Sequence, residues 1–119
     1  MPDSEIAGLR AELLRRYGSD EQLLLDIIQL FLEDLPDMVE KIREALVSGE
    51  SEPLSRSAHS LKGAVSNFDR EDAWKKVAEL EATARDGNFQ KAAEQFPLVK
   101  EAMGILGARL RQLSEEKRQ

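Results

Sequence analysis

The chain has no cysteine among its 119 residues. That removes disulfides, thiol nucleophiles and cysteine-based zinc sites together, and it agrees with a cytoplasmic location without requiring one. Aromatic residues make up 5% of the chain, so any core must be built from Leu, Ile, Val and Ala. No stretch approaches the ~20 apolar residues of a membrane span. The segment Met1-Pro2-Asp3-Ser4-Glu5 is too polar and acidic to read as a signal peptide. The 17 Lys and Arg residues are scattered and outnumbered by 23 Asp and Glu. No basic track for DNA or RNA results, and the net charge of -6 disfavours anionic membranes. No segment alternates apolar and polar residues with period two, so no strands are expected.

What is present is helical spacing throughout. Ile6, Leu9, Leu13 and Tyr17 form a first stripe, which Gly18 can end in a left-handed cap. Ser19 through Gln22 reads as a capping box opening the next helix. Leu24, Ile28, Phe31, Leu35, Met38, Ile42 and Leu46 form a long second stripe that keeps its phase across Pro36, so a kink is expected there rather than a break. Gly49 ends it. The third stripe is Leu54, Ala58, Leu61, Val65 and Phe68, with Ser51 as cap and Pro53 in the first turn. Asp69 caps the fourth stripe, Ala73, Val77, Leu80 and Ala84, and Gly87-Asn88 closes it. The fifth is Ala92, Phe96, Val99, Met103, Leu106, Leu110 and Leu113, with a second kink expected at Pro97.

Connections of a few residues make successive helices antiparallel neighbours. The expected fold is all-α: an antiparallel up-down four-helix bundle with a short additional N-terminal helix. It forms one domain over residues 1–119, with a core of about 5–113 and a fraying polar tail over 114–119. Composition agrees, since 41% hydrophobic and 34% charged residues suit one core with a wet surface.

One histidine stands apart because it is the only one. At about 100° per residue, His59 points roughly 140° from the centre of the third stripe and faces solvent. One turn before it on the same face are Ser55 and Arg56. One turn after come Lys62 and Gly63, and Ser66 follows two turns on. A glycine inside a helix costs ~1 kcal/mol against alanine. On a solvent face no helix packing explains it, so Gly63 suggests that something must approach the helix beside His59. By itself a lone exposed histidine is most often merely solvated, and so is a nearby lysine.

The segment Ala58-His59-Ser60-Leu61-Lys62-Gly63-Ala64 resembles the motif of histidine phosphotransfer (HPt) domains, His-x-Leu-Lys-Gly after a small residue. The likeness extends over nearly the whole chain. It includes the Leu-Pro of the preceding long helix, and Leu80-Glu81 followed by Arg85 and Gly87 in the next. Many members carry a glycine after the large apolar residue that follows the motif. Here the pair is Phe68-Asp69, so an altered turn is expected, with Asp69 as helix cap.

The resemblance implies a phosphoryl carrier without kinase activity of its own. His59 would accept a phosphoryl group from a receiver-domain aspartate and donate it to another, on the outer ring nitrogen. Lys62 would attract the phosphoryl oxygens, unless it serves only solubility. Gly63, Ser55, Arg56 and Ser66 would contribute to docking. No cofactor is implied for this chain, since the receiver brings the magnesium ion. No glycine-rich nucleotide loop or metal-binding cluster is recognisable in the sequence. Glu81 flanks the fourth stripe on the side of Trp74 and Arg85, roughly level with His59. It could orient the inner ring nitrogen, although a solvated glutamate is the simpler expectation. Leu25, Leu32, Pro36 and Val39 lie beside the second stripe and either pack under the first helix or form an exposed patch for a receiver.

The implied partners are response-regulator receiver domains, with a sensor histidine kinase as a further candidate. No nucleic acid or membrane insertion is implied, and a monomer is expected. Two alternatives remain open from sequence: the phosphoacceptor domain of a chemotaxis-type histidine kinase, and a helical adaptor without phosphotransfer. A metal site is a poor third, with one histidine, no cysteine and only Glu52 two turns back on the same face. A hydrolase would need a hydroxyl nucleophile and a pocket arranged with His59.

Overall fold

A computed structural model describes the backbone of residues 2–118 and the side chains of residues 5–115. All regular structure among them is helical, in five elements: α1 (Pro2–Arg16), α2 (Glu21–Ser48), α3 (Ser51–Val65), α4 (Asp72–Arg85) and α5 (Phe89–Arg118). The described residues contain no strand. No described helix is long and apolar enough to cross a membrane.

Helix ends follow local chemistry. Gly18, Gly49 and Gly87 all adopt positive φ, at 66°, 70° and 73°, the left-handed conformation that closes a helix cheaply only without a Cβ. Ser19 shares it, at φ 64°, and so cannot serve as the first cap of α2. The expected capping box does not form, and the cap falls one residue later. Asp20 is the cap, and its Oδ1 accepts the Leu23 N–H at 3.0 Å. Ser51 does not cap α3 either. Its hydroxyl donates instead to the carbonyl of Ala84, tying the start of α3 to the end of α4. Asn88 caps α5, accepting the Lys91 N–H at 3.1 Å.

Contacts cluster into two units. One comprises residues 1–33 and 105–119, the other residues 34–104. The first holds α1, the start of α2 and the end of α5. Ile6, Leu13, Leu24, Ile28, Leu110 and Leu113 are its fully buried side chains. The second holds the rest of α2, α3, α4 and the start of α5, around Ile42, Leu54, Leu61, Val77, Leu80 and Val99. Helices α2 and α5 run unbroken through both, and past Pro36 and Pro97. Most residues of the expected stripes are buried. Leu9, Tyr17, Met38, Leu46 and Phe96 are only half-buried, and Ala45 is buried beside Leu46. The tail does not fray at Ser114: α5 continues to Arg118 and Ser114 is buried, while Gln119 lies outside the described residues. Beside the second stripe, Leu25, Leu32 and Val39 are half-buried and Pro36 is exposed. The larger exposed apolar groups are Leu23, Leu30, Val47, Leu98 and Ile105.

Helices α3 and α4 pack on each other and run antiparallel, since Ser51 at the start of α3 meets Ala84 near the end of α4 while Lys62 near the end of α3 meets Trp74 near the start of α4. In the turn between them, buried Phe68 plugs the core. Asp69 caps α4 from outside it: Oδ1 accepts the Glu71 N–H at 2.8 Å and Oδ2 the Ala73 N–H at 3.0 Å. The helix therefore begins at Asp72, three residues after the residue that caps it.

Leu61 has no exposed surface, whereas Val47 is 76% exposed. Leu61→Ala is expected to destabilise by about 2–5 kcal/mol, and Val47→Ala to change stability by no more than about 0.5 kcal/mol. Urea unfolding of the two variants checks this; equal losses would contradict the facing of α3.

Candidate functional site

The stripe Leu54, Ala58, Leu61 and Val65 pins one face of α3 into the core, which turns His59 outward. Its side chain is 65% exposed, as the helical arithmetic requires. Gly63, one turn on, is exposed, and a Cβ there would meet nothing within 4 Å. No neighbour within the chain accounts for that glycine.

Beneath the histidine lies a carboxylate. Glu81 of α4 is 1% exposed. The solvated glutamate expected from sequence is overturned: the α3–α4 packing covers this position, and three cation-capable side chains close over it. His59 Nδ1 lies 2.9 Å from Glu81 Oε2. Arg85 donates to the same oxygen at 2.6 Å. Lys62 Nζ sits 2.7 Å from Oε1. Only 24% of the Lys62 side chain is exposed, and its ammonium lies over the Trp74 ring, 5.6 Å from the centroid. Lys62 is therefore no free solubilising charge.

Two opposing effects act on the Glu81 carboxyl. Burial pushes its pKa up. The contact with Lys62, the His59 hydrogen bond and the charges of Lys62 and Arg85 pull it down, and together they prevail, so it lies below the ordinary glutamate value. An ionised carboxylate can only accept. The His59 contact must then be Nδ1–H donating to Oε2, and in the neutral ring the lone pair sits on Nε2. The geometry thus selects one tautomer and offers the outer nitrogen as a nucleophile.

The remaining expected site residues surround this centre loosely. Arg56 is exposed and paired with Glu52 at 2.6 Å. Ser55 is half-buried. Ser66 lies just past the end of α3, and its hydroxyl donates to the Gly63 carbonyl at 2.6 Å. Among the described residues no group of three or more His, Asp or Glu side chains is placed to hold a metal ion. Trp74 and Arg85 are the members of the cluster that sequence reasoning placed beside Glu81 without giving them a role. The spacing Trp74–Glu81–Arg85, at seven and four residues, was the signal that they share a face.

Because Glu81 holds its proton less tightly folded than unfolded, its stabilisation is complete above the unfolded value, 4.5, and is lost as pH falls through the lower folded value. Glu81→Gln is expected to cost about 1–3 kcal/mol at pH 7, a difference that shrinks progressively as the pH falls below 4.5. Thermal melts of both proteins across that range test it; a gap independent of pH would contradict the ionised, paired state.

The match to known families agrees with this arrangement. A family model for the Hpt domain matches residues 26–116, a span that contains α3, α4 and the whole His59–Glu81 cluster. No curated protein and no solved structure gives a significant match to the chain. With most of its length matched by that model, the chain belongs to the Hpt domain family.

Proposed function

We propose that this chain carries a phosphoryl group on His59, taking it from the aspartate of one receiver domain and passing it to that of another. Hpt domains are phosphocarriers of two-component phosphorelays and work with receiver domains and kinases. The observation that carries the assignment to His59 is its exposed ring, anchored through Nδ1 to a buried carboxylate.

In the transfer step the Nε2 lone pair attacks the phosphorus of an aspartyl phosphate. The Nε2–P bond forms, the P–O bond to the aspartate breaks, and the aspartate leaves as a carboxylate. The ring gains positive charge as the bond forms. Its Nδ1–H already rests on Glu81, so a fixed negative charge stabilises that cation without reorganisation. Donation is the reverse. Phosphoryl transfer depends mainly on positioning and charge stabilisation. Lys62 and Arg85 against one carboxylate leave a net positive charge at the site, which favours the arriving phosphoryl oxygens.

The chain supplies the acceptor alone, with no kinase activity. The receiver contributes the magnesium ion and acidic pocket, as the family resemblance implies. Gly63 keeps the approach to His59 clear, while Ser55, Arg56 and Ser66 contribute to docking around it. Antiparallel α3 and α4 fit the up-down four-helix bundle of the family, with α1 as the added N-terminal helix, acting as a monomer in the cytoplasm.

Incubation with a phosphorylated receiver domain is expected to give acid-labile, base-stable label on the wild-type chain and none on His59→Gln. Label that persists on His59→Gln would refute the assignment. Complete absence of label on wild type with competent donors would leave a helical adaptor. His59→Gln keeps an amide able to reach Glu81, so its melting temperature should fall by the equivalent of about 1 kcal/mol or less. A much larger fall would mean that the ring supports the fold and is not free to react.

A further inference from the structure

Trp74 is the only tryptophan of the chain. It sits on α4, seven residues before Glu81, and is half-buried. The phosphocarrier reading gives it no task, and the apolar stripe of α4 does not need it, since Ala73, Val77, Leu80 and Ala84 fill that face. Its ring instead meets the Lys62 ammonium, which lies over it at 5.6 Å from the centroid.

Lysine is a difficult residue to place. Its four-carbon stem carries about 2 kcal/mol of rotamer entropy, and its ammonium is strongly hydrated. Left to itself on a helix surface it reaches outward into water. Here Lys62 is mostly covered, with only 24% of its side chain exposed. Two attractions hold the ammonium there: the Glu81 carboxylate, 2.7 Å away, and the electron-rich face of the Trp74 ring.

We infer that Trp74 is a positioning residue for phosphotransfer: its ring face, together with Glu81, fixes the Lys62 ammonium one helical turn from His59, where it meets the phosphoryl oxygens without first being gathered from solvent. This rests on the phosphocarrier reading and adds to it a residue that never touches the phosphoryl group. An ammonium held between a carboxylate and a ring face is already beside the site when an anion arrives. The ring keeps the stem from swinging away while the partner changes.

The test is a double-mutant cycle on His59 labelling, using phosphoramidate as donor. Its P–N bond breaks as the Nε2–P bond forms, and ammonia leaves. Being small, it does not rely on receiver docking, so an effect on its rate reports the site itself. Trp74→Leu in the Lys62 background is expected to slow labelling on the order of three- to ten-fold, the size of one partly covered cation–ring contact. In a Lys62→Met background the same substitution should change nothing further. Trp74→Phe, which restores a ring face, should recover most of the rate. Equal slowing by Trp74→Leu in both backgrounds would overturn the inference, because a merely structural role acts with or without the ammonium. So would Trp74→Leu labelling at the wild-type rate. Should Trp74→Leu not fold, proton NMR of the unaltered chain decides. Ring-current shielding should move the Lys62 ε-methylene protons upfield, and their appearance at the usual solvated position would overturn the placement. Failure of the phosphocarrier reading looks different, since wild type itself would then take no label.

Discussion

A single carboxylate taken out of water organises this site. Glu81 is 1% exposed, and an ionised group so placed is tolerated only if its charge is met at once. His59, Lys62 and Arg85 meet it, from two helices and from both sides of the carboxylate. None of the three is itself deeply buried, so the desolvation cost falls mainly on one group while its partners keep contact with water. The arrangement gives His59 a fixed orientation without burying the ring, as the proposed carrier role requires.

The carboxylate can hold this place because α3 and α4 are fastened at both ends. Ser51 binds the Ala84 carbonyl at one end. At the other, the turn carries buried Phe68 and the double acceptor Asp69. Many family members have glycine where Asp69 stands. Here the side chain supplies the missing partners for the first N–H groups of α4, so the turn changes its chemistry while the helix it opens still delivers Glu81 to His59. Trp74, one turn into α4 from that end, lies over Lys62 for the same reason.

Most of the fold was legible because helical period and stop residues are local properties. The stripes on α3 and α4 are buried in full, and the three glycines that end helices take the left-handed conformation that glycine alone adopts cheaply. The departures came where two local rules competed or a distant group intervened. Ser19 looked like a cap, but Gly18 and Ser19 both take positive φ, leaving Asp20 for the task. Ser51 looked like a cap, but a carbonyl 33 residues away claimed its hydroxyl. The polar tail looked frayed, yet α5 continues to Arg118 and Ser114 is buried.

The sequence by itself determined that the chain is helical, that His59 turns away from its core stripe, and that Lys62 and Gly63 stand one turn from it. These follow from spacing along one helix, where geometry is fixed at about 100° per residue. Only the tertiary structure decided the state of Glu81. Whether a carboxylate beside an apolar stripe is washed by water or sealed under it depends on how closely the next helix approaches, and no periodicity within α4 records that distance. From that one decision follow the tautomer of His59, the capture of Lys62 against Trp74, and the sharing of Glu81 Oε2 between His59 and Arg85, because each is a contact between residues that the chain itself keeps far apart or leaves free to turn elsewhere.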